Sequence, residues 1–279
     1  MTKPLISILL CTYNSSLFIT ETLQSCLGQS YNNIELLLYD DQSTDDTLSK
    51  LWLFTDHRIR VFSSEKKLWP YWWLNLLLDQ TQGEYIAVQD HDDLWHSDKL
   101  ARQIEFLSSH PEYIWCGTKT LMRYEWDARW FEYFLWNDNY YTIHPSLVFR
   151  NSSSFRYNID SVYMQDAVFQ KNVLCQWKKL IANLDETLTL HVVKAWAKNY
   201  SYKRFTYSFP TIRTVFLLHP VWYGVCILWF ETLRKILYPI LQFLWKWVWI
   251  DSIERLPFVL LGRTIETYDE ERRNKMGFG

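Results

Sequence analysis

Three carboxylates fall within four residues at Asp90-His91-Asp92-Asp93. They close an apolar run at residues 85–88 that opens after Gly83, and a helical pattern begins near Ser97. Carboxylates at the C-terminal end of a strand stand where open α/β sheets bind ligands. The alternate spacing of Asp90 and Asp92 can bring two hard oxygen donors to one side of a turn. Such donors suit Mg²⁺ or Mn²⁺ shared with the phosphates of a nucleotide. A solvated acidic loop would have the same composition, so both readings stand until the neighbours are placed. A second carboxylate pair, Asp40-Asp41, closes the apolar run at 34–39, and Thr12-Tyr13-Asn14 follows another at 5–11.

The elements between these loops decide whether they meet. The run at 5–11 is continuously apolar, the pattern of a strand buried on both faces. Ile19, Leu23, Cys26 and Leu27 then recur at helical spacing, with Gly28 as a stop. After the second strand, Ser43 and Asp46 form a capping pattern, and Leu48, Leu51 and Trp52 supply an apolar helix face. A short third strand lies at 59–62, a helical stretch at 69–78 and the fourth strand at 85–88. Next comes a helix turning Leu100, Ile104 and Leu107 inward, closed by Pro111, and a strand at 113–117. Strand and helix alternate, which predicts a doubly wound, mostly parallel sheet. Right-handed crossovers bring the strand C-termini to one edge, so the loops at 12–14, 40–41 and 90–93 converge.

Composition narrows the function. The chain has 279 residues, 48% of them apolar, enough for one large domain or a domain with an extension. A net charge of −2 argues against nucleic acid as a partner. Aromatic content is 18%, with 16 Trp; Trp69, Trp72, Trp73, Trp126, Trp130 and Trp136 could face sugar rings or the core. Five widely spaced cysteines without a CxxC pair read as free thiols in a reducing compartment. The N-terminal run lacks a signal-peptide pattern, so the expected location is cytoplasmic. No GxGxxG follows the first strand, no P-loop occurs, and 90–93 lacks the Gly and Glu of a Ca²⁺ loop.

SILLCTYN, IELLLYDDQSTDDT and GEYIAVQDHDDLWHSDKLARQIEFL, in that order, resemble the family 2 glycosyltransferases of GT-A fold. IHPSLVFRNSS at 143–153, YMQDAVF at 163–169 and the later LDETLTLHVV extend the resemblance over residues 4–195. It implies inverting transfer of a sugar from a nucleotide-diphosphate sugar to a glycan or lipid-linked acceptor, with Mn²⁺ or Mg²⁺. It implies Tyr13 against the nucleobase with Cys11 beside it, Asp41 bonded to the base, and Asp90 at the ribose or metal. Asp92 is then the metal ligand and Asp166 the catalytic base, with His144 and Gln165 as weaker acceptor contacts. Chemically, a carboxylate can deprotonate an attacking hydroxyl and a divalent cation can neutralise a departing diphosphate. Three positions depart from the family pattern: Gln165 replaces an acid, Cys11 a small polar residue, and Tyr71-Trp72-Trp73-Leu74 a helix start that carries a basic residue in many members. His91 and His96 read as loop histidines or site contacts. His191 lies where some GT-A enzymes have a metal-binding histidine.

The expected architecture is an α/β GT-A domain at 1–209 and a hydrophobic, helical C-terminal extension at 210–279. Within the extension, Glu231, Arg234, Lys235, Tyr238, Gln242 and Lys246 draw a polar stripe along an apolar, Trp-rich sequence. Such a helix can lie peripherally in a membrane interface, on the inner face, or pack on the domain or a second copy. The charged tail, 266–279, is expected to be mobile. The expected role is surface polysaccharide or glycolipid synthesis. A catalytically inactive nucleotide-sugar-binding or scaffold domain is the alternative. A nucleotidyltransferase would call for a Gly-rich basic N-terminal loop, which is lacking.

Overall fold

The computed structural model describes residues 3–68, 71–124, 130–133, 142–159 and 180–193, with short pieces at 165–166, 168–170, 172, 228 and 267–268. Four apolar runs form the parallel centre: β1 (Ile6–Thr12), β2 (Ile34–Asp40), β3 (Ile59–Ser63) and β4 (Tyr85–Asp90). β1 pairs with β2 on one side and β4 on the other, and β3 lies beyond β2, all parallel. Every residue of β1 and β2 is buried, as expected for strands covered on both faces.

Helices α1 (Ile19–Leu27), α2 (Thr47–Leu51), α3 (Trp72–Leu78) and α4 (Lys99–Ser109) cover the sheet. One apolar layer joins Ile8, Leu10, Leu23, Leu36, Leu100 and Ile104. The other joins Leu9, Leu37, Leu74, Val88, Phe149 and Phe169. The even- and odd-numbered residues of β1 thus feed opposite layers, the period-2 alternation of a strand. Gly83 lets β4 start close to β1, since a Cβ there would stand 2.6 Å from the Ser7 nitrogen. Leu100, Ile104 and Leu107 turn inward as their spacing predicts.

Two helix details differ from expectation. Ser43 does not cap α2; its hydroxyl donates to Asp40 at 2.6 Å, and Asp45 instead accepts from the Thr47 backbone at 3.0 Å. Trp52 is 70% exposed, because α2 ends one residue before it.

Beyond β4 the sheet becomes mixed. β5 (Leu94–Trp95) follows the acidic loop, β6 (Tyr113–Tyr124) is longer than predicted, and β7 (Trp130–Tyr133) turns back on it. β8 (Val148–Arg150) lies antiparallel between β4 and β6. β9 (Leu180–Val193) runs parallel to β6 and antiparallel to β5. β10 (Thr267–Tyr268) pairs with β7, so part of the tail expected to be mobile joins the sheet edge. Apart from residues 228 and 267–268, the extension at 210–279 lies outside the described residues, as do Trp69, Trp126 and Trp136. Among the described residues no helix is long and apolar enough to cross a membrane.

Candidate active site

The strand register brings the predicted loops together. Thr12 of β1 pairs with Asp40 of β2, and Cys11 with Asp90 of β4. Asp40 is buried and accepts from the Ser43 backbone at 3.0 Å as well as its hydroxyl, which shapes the loop after β2. That loop is tied to the one after β1: Asn14 N–H donates to Ser43 Oγ at 3.0 Å, and Asn14 Oδ1 accepts from Thr44 N–H at 2.8 Å. Asn14 and Gln42 adopt left-handed backbone, with φ of 47° and 62°, where the chain reverses at this edge.

Asp41 accepts from the Leu68 backbone at 2.8 Å, which closes the loop after β3 against the other two. Burial raises its pKa, opposed by that bond and by the charge of Lys67. Tyr13 is 40% exposed, and the Lys67 ammonium stands 3.1 Å from its ring centroid. Cys11 is buried beneath, its thiol pKa pushed well up by burial and by the charges of Asp90 and Asp41. It is the inert floor of this edge rather than a nucleophile.

The three carboxylates of the acidic loop take three different environments. Asp93 is fully buried and accepts from His191 Nδ1 at 2.7 Å and 2.8 Å. Burial pulls the His191 pKa down, but Asp93, Asp90 and Asp92 together hold it above the ordinary value. Asp90 turns to His144, whose Nδ1 lies 3.5 Å from Oδ1. Burial raises the Asp90 pKa, and the His144 hydrogen bond with the charges of His144, His191 and His91 lowers it further than burial lifts it. Asp92 is half-buried and has no side-chain partner among the described residues.

His144 reaches Asp90 because a 3-10 turn at His144–Ser146 leads into β8. Trp95 Nε1 donates to the Pro145 carbonyl at 2.8 Å, and Gln103 Nε2 to the Ser146 carbonyl at 2.9 Å. The other ring nitrogen of His144 meets the Tyr157 hydroxyl at 3.0 Å. Tyr157 is itself fixed by Asn75, which donates to its carbonyl at 3.0 Å and accepts from its N–H at 2.9 Å. Asn75 is therefore occupied in holding Tyr157. Asp166 is half-buried; burial pulls the His144 pKa down, but Asp90 first and the Asp166 charge after it hold it up, while burial raises the Tyr157 pKa with smaller help from Tyr71 and Asp166.

Gln165 is buried to 1% exposure, and its Oε1 has no hydrogen-bond partner among the described residues. His96 is a structural residue: its Nδ1 accepts from the Asp98 N–H at 3.1 Å at the start of α4. Sequence reasoning left Asp93 without a role and passed over Tyr157 and Lys67. Tyr157 carries no sequence signal, whereas Lys67 follows the third strand and so belongs to the converging edge.

Asp90 and Asp92 are hard oxygen donors two residues apart in one loop, the donor type that suits Mg²⁺ or Mn²⁺. Among the described residues no group of three or more His, Cys, Asp or Glu side chains is placed to hold a metal ion by itself. An open two-carboxylate site is the arrangement Mg²⁺ takes when a substrate phosphate completes it.

The sequence model of glycosyl transferase family 2 matches residues 7–169. The chain belongs to that family. Of its family 2 relatives, an Escherichia coli UDP-Glc:alpha-D-GlcNAc-diphosphoundecaprenol beta-1,3-glucosyltransferase is 37% identical over 103 residues, covering 37% of this chain and 41% of that protein. The chain spans about half the length, or less, of the curated relatives it matches. Staphylococcus aureus TarS 1-349 in complex with UDP-GlcNAc superposes with a TM-score of 0.62 at 19% identity, over 76% of this chain and 65% of that one. A mannosyltransferase from Pyrobaculum calidifontis, in complex with GDP-Man and Mn²⁺, gives 0.60 at 16% identity over 73% and 61%. The two structures share the GT-A fold with this family 2 chain.

Proposed function

We propose that this chain is an inverting, divalent-cation-dependent glycosyltransferase that moves a sugar from a nucleotide-diphosphate sugar to a hydroxyl of a glycan or lipid-linked acceptor. The observation that carries it is the register that sets Asp40 and Asp90 on either side of Thr12 and Cys11, with the Asp92 carboxylate beside them making no side-chain hydrogen bond among the described residues. Family 2 membership and a relative acting on a diphosphoundecaprenol-linked sugar support the substrate class.

In this reading the nucleobase lies against Tyr13 and Asp41, and Asp92 with Asp90 holds Mn²⁺ or Mg²⁺. The bound cation supplies charge neutralisation for the departing nucleoside diphosphate. Asp166 accepts the proton of the acceptor hydroxyl as that oxygen attacks the anomeric carbon. The bond from that carbon to the diphosphate oxygen breaks on the opposite face, so the anomeric configuration inverts. His144, held by Tyr157, fixes Asp90 on the donor side. Asp93 fixes the ring of His191 through Nδ1 and leaves Nε2 as the nitrogen available to the site, the arrangement by which a carboxylate orients a histidine.

The residues at 210–279 are assigned to peripheral contact with the inner membrane face, where a lipid-linked acceptor would be met. Flotation with anionic vesicles should carry the full chain and leave residues 1–209 behind; equal flotation of the two removes this assignment.

The decisive assay combines UDP- and GDP-sugars, Mn²⁺ and a polyprenyl-diphosphate-linked sugar acceptor. Asp166→Asn should lower turnover by about 10³-fold while leaving nucleotide affinity within about 2-fold, the scale of a lost general base. If wild type and Asp166→Asn are equally inert while both bind nucleotide, the chain is a binding domain and the transferase reading fails.

A further inference from the structure

A diphosphate brings negative charge to an edge that already carries Asp40, Asp41, Asp90 and Asp92. The helix that begins there, α3, offers no cation along Trp72–Leu78. Leu74, in its first turn, is buried in the core. Lys50 reaches the neighbouring loop, but its ammonium is held by the Ser16 carbonyl at 2.6 Å. Lys67 differs from both. It is exposed, and its Nζ stands over the Tyr13 ring at 3.1 Å, beside Asp41. It therefore covers the ring face that a nucleobase would use.

We propose that Lys67 is the donor's exchange cation: its ammonium covers Tyr13 while the site is empty and moves to the diphosphate when the base takes its place. The proposal rests on the donor site described above. The backbone around Lys67 is built for such a swing. Its neighbour Leu68 is anchored through N–H to Asp41, and Ser64 is anchored by the Tyr39 hydroxyl at 2.7 Å and by Gln42 through its carbonyl at 3.3 Å. The loop's ends are thus fixed while the four-carbon stem of Lys67 remains free to rotate. An exposed cation–π contact is weak, whereas an ammonium on a phosphate makes charge-assisted hydrogen bonds, so the exchange favours the bound donor.

The exchange predicts opposite effects on two ligands. Titration calorimetry with Mn²⁺ would compare UDP with uridine and GDP with guanosine, in wild type, Lys67→Ala, Lys67→Arg and Lys66→Ala. Lys67→Ala should weaken the diphosphate of whichever base wild type binds by about 10-fold, one lost charge-assisted contact. The matching nucleoside should bind unchanged or more tightly, because the Tyr13 face is uncovered. Lys67→Arg should retain most diphosphate affinity, and Lys66→Ala, which removes the same charge one residue away, should cost less than about 2-fold. Unaltered diphosphate affinity in Lys67→Ala overturns the proposal. So does an equal loss for nucleoside and diphosphate, which would make Lys67 a base contact, and so does an equal loss in Lys66→Ala, which would make the effect a general field. A wild type that binds neither UDP nor GDP overturns the donor site itself, and this inference with it.

Discussion

The two ends of the parallel strands carry carboxylates of opposite character. At the N-terminal end, Glu35 is almost buried and fully engaged. It accepts from the Ser7 hydroxyl, from Arg60 at 3.1 Å and from the Gln82 N–H at 2.7 Å. At the C-terminal end, Asp92 has no side-chain partner among the described residues, and Asp90 meets His144 at 3.5 Å. The same functional group is structural at one end and available at the other. What separates them is the count of donors already aimed at the oxygens, since a satisfied buried carboxylate has little left to offer a ligand. Asp93 shows that the division runs through a single loop: one residue beyond Asp92, it is spent on His191.

Mutations at the two ends should therefore separate activity from stability. The largest effect is expected from Asp92→Asn, which should cut transfer by about 10³-fold, about 4 kcal/mol of transition-state stabilisation, while the melting temperature stays within a degree or two. Chelation of wild type should reproduce that loss, and nucleotide binding that survives chelation unchanged would remove the metal role. At the other end Glu35→Ala should lower stability by about 3 kcal/mol, because Arg60 and the Ser7 and Gln82 donors lose their acceptor. Nucleotide affinity of the folded fraction should not change; a matching loss of affinity would show that the two ends are coupled.

A pH-dependent effect belongs to a charge at neither end. Lys99 on α4 is fully buried, its Nζ has no hydrogen-bond partner among the described residues, and it stands 3.8 Å from the Trp95 ring centroid. Burial pushes its pKa from 10.5 down to about 7. Between those values the unfolded chain binds a proton that the folded chain does not, so this residue makes stability rise with pH across the window. The difference in unfolding free energy between wild type and Lys99→Met should thus change by up to about 1.4 kcal/mol per pH unit between pH 7 and 10.5. A flat difference would mean that Lys99 stays charged when buried.

The C-terminal edge of the parallel strands was readable because each element there has one dominant signal. Unbroken apolar runs fixed β1, β2 and β4, and strand–helix alternation fixed which ends meet, so Asp40, Asp41 and Asp90 could be placed together before any coordinate was known. Partnering was not readable. Asp92 and Asp93 are adjacent and identical in type, and only the pairing of β9 with β5 brings His191 to one of them. The antiparallel β8 was also illegible as topology: its apolar residues mark a strand, but nothing local states that it inserts between β4 and β6. That insertion is what delivers His144 to Asp90. The burial of Gln165 was not readable either, since nothing in its neighbourhood in sequence states how deep it lies.

Three buried thiols among the described residues give the molecule an internal clock. Cys11 lies under the candidate donor edge, while Cys26 and Cys116 sit in the core layer behind α1 and α4. Burial lifts the latter two to about 12, so each reacts with an alkylating reagent only while its shelter is open. Labelling times at Cys11, compared with those at the other two, would report how often the donor edge opens without the whole domain opening, and a bound nucleotide should slow the first while leaving their ratio to each other unchanged.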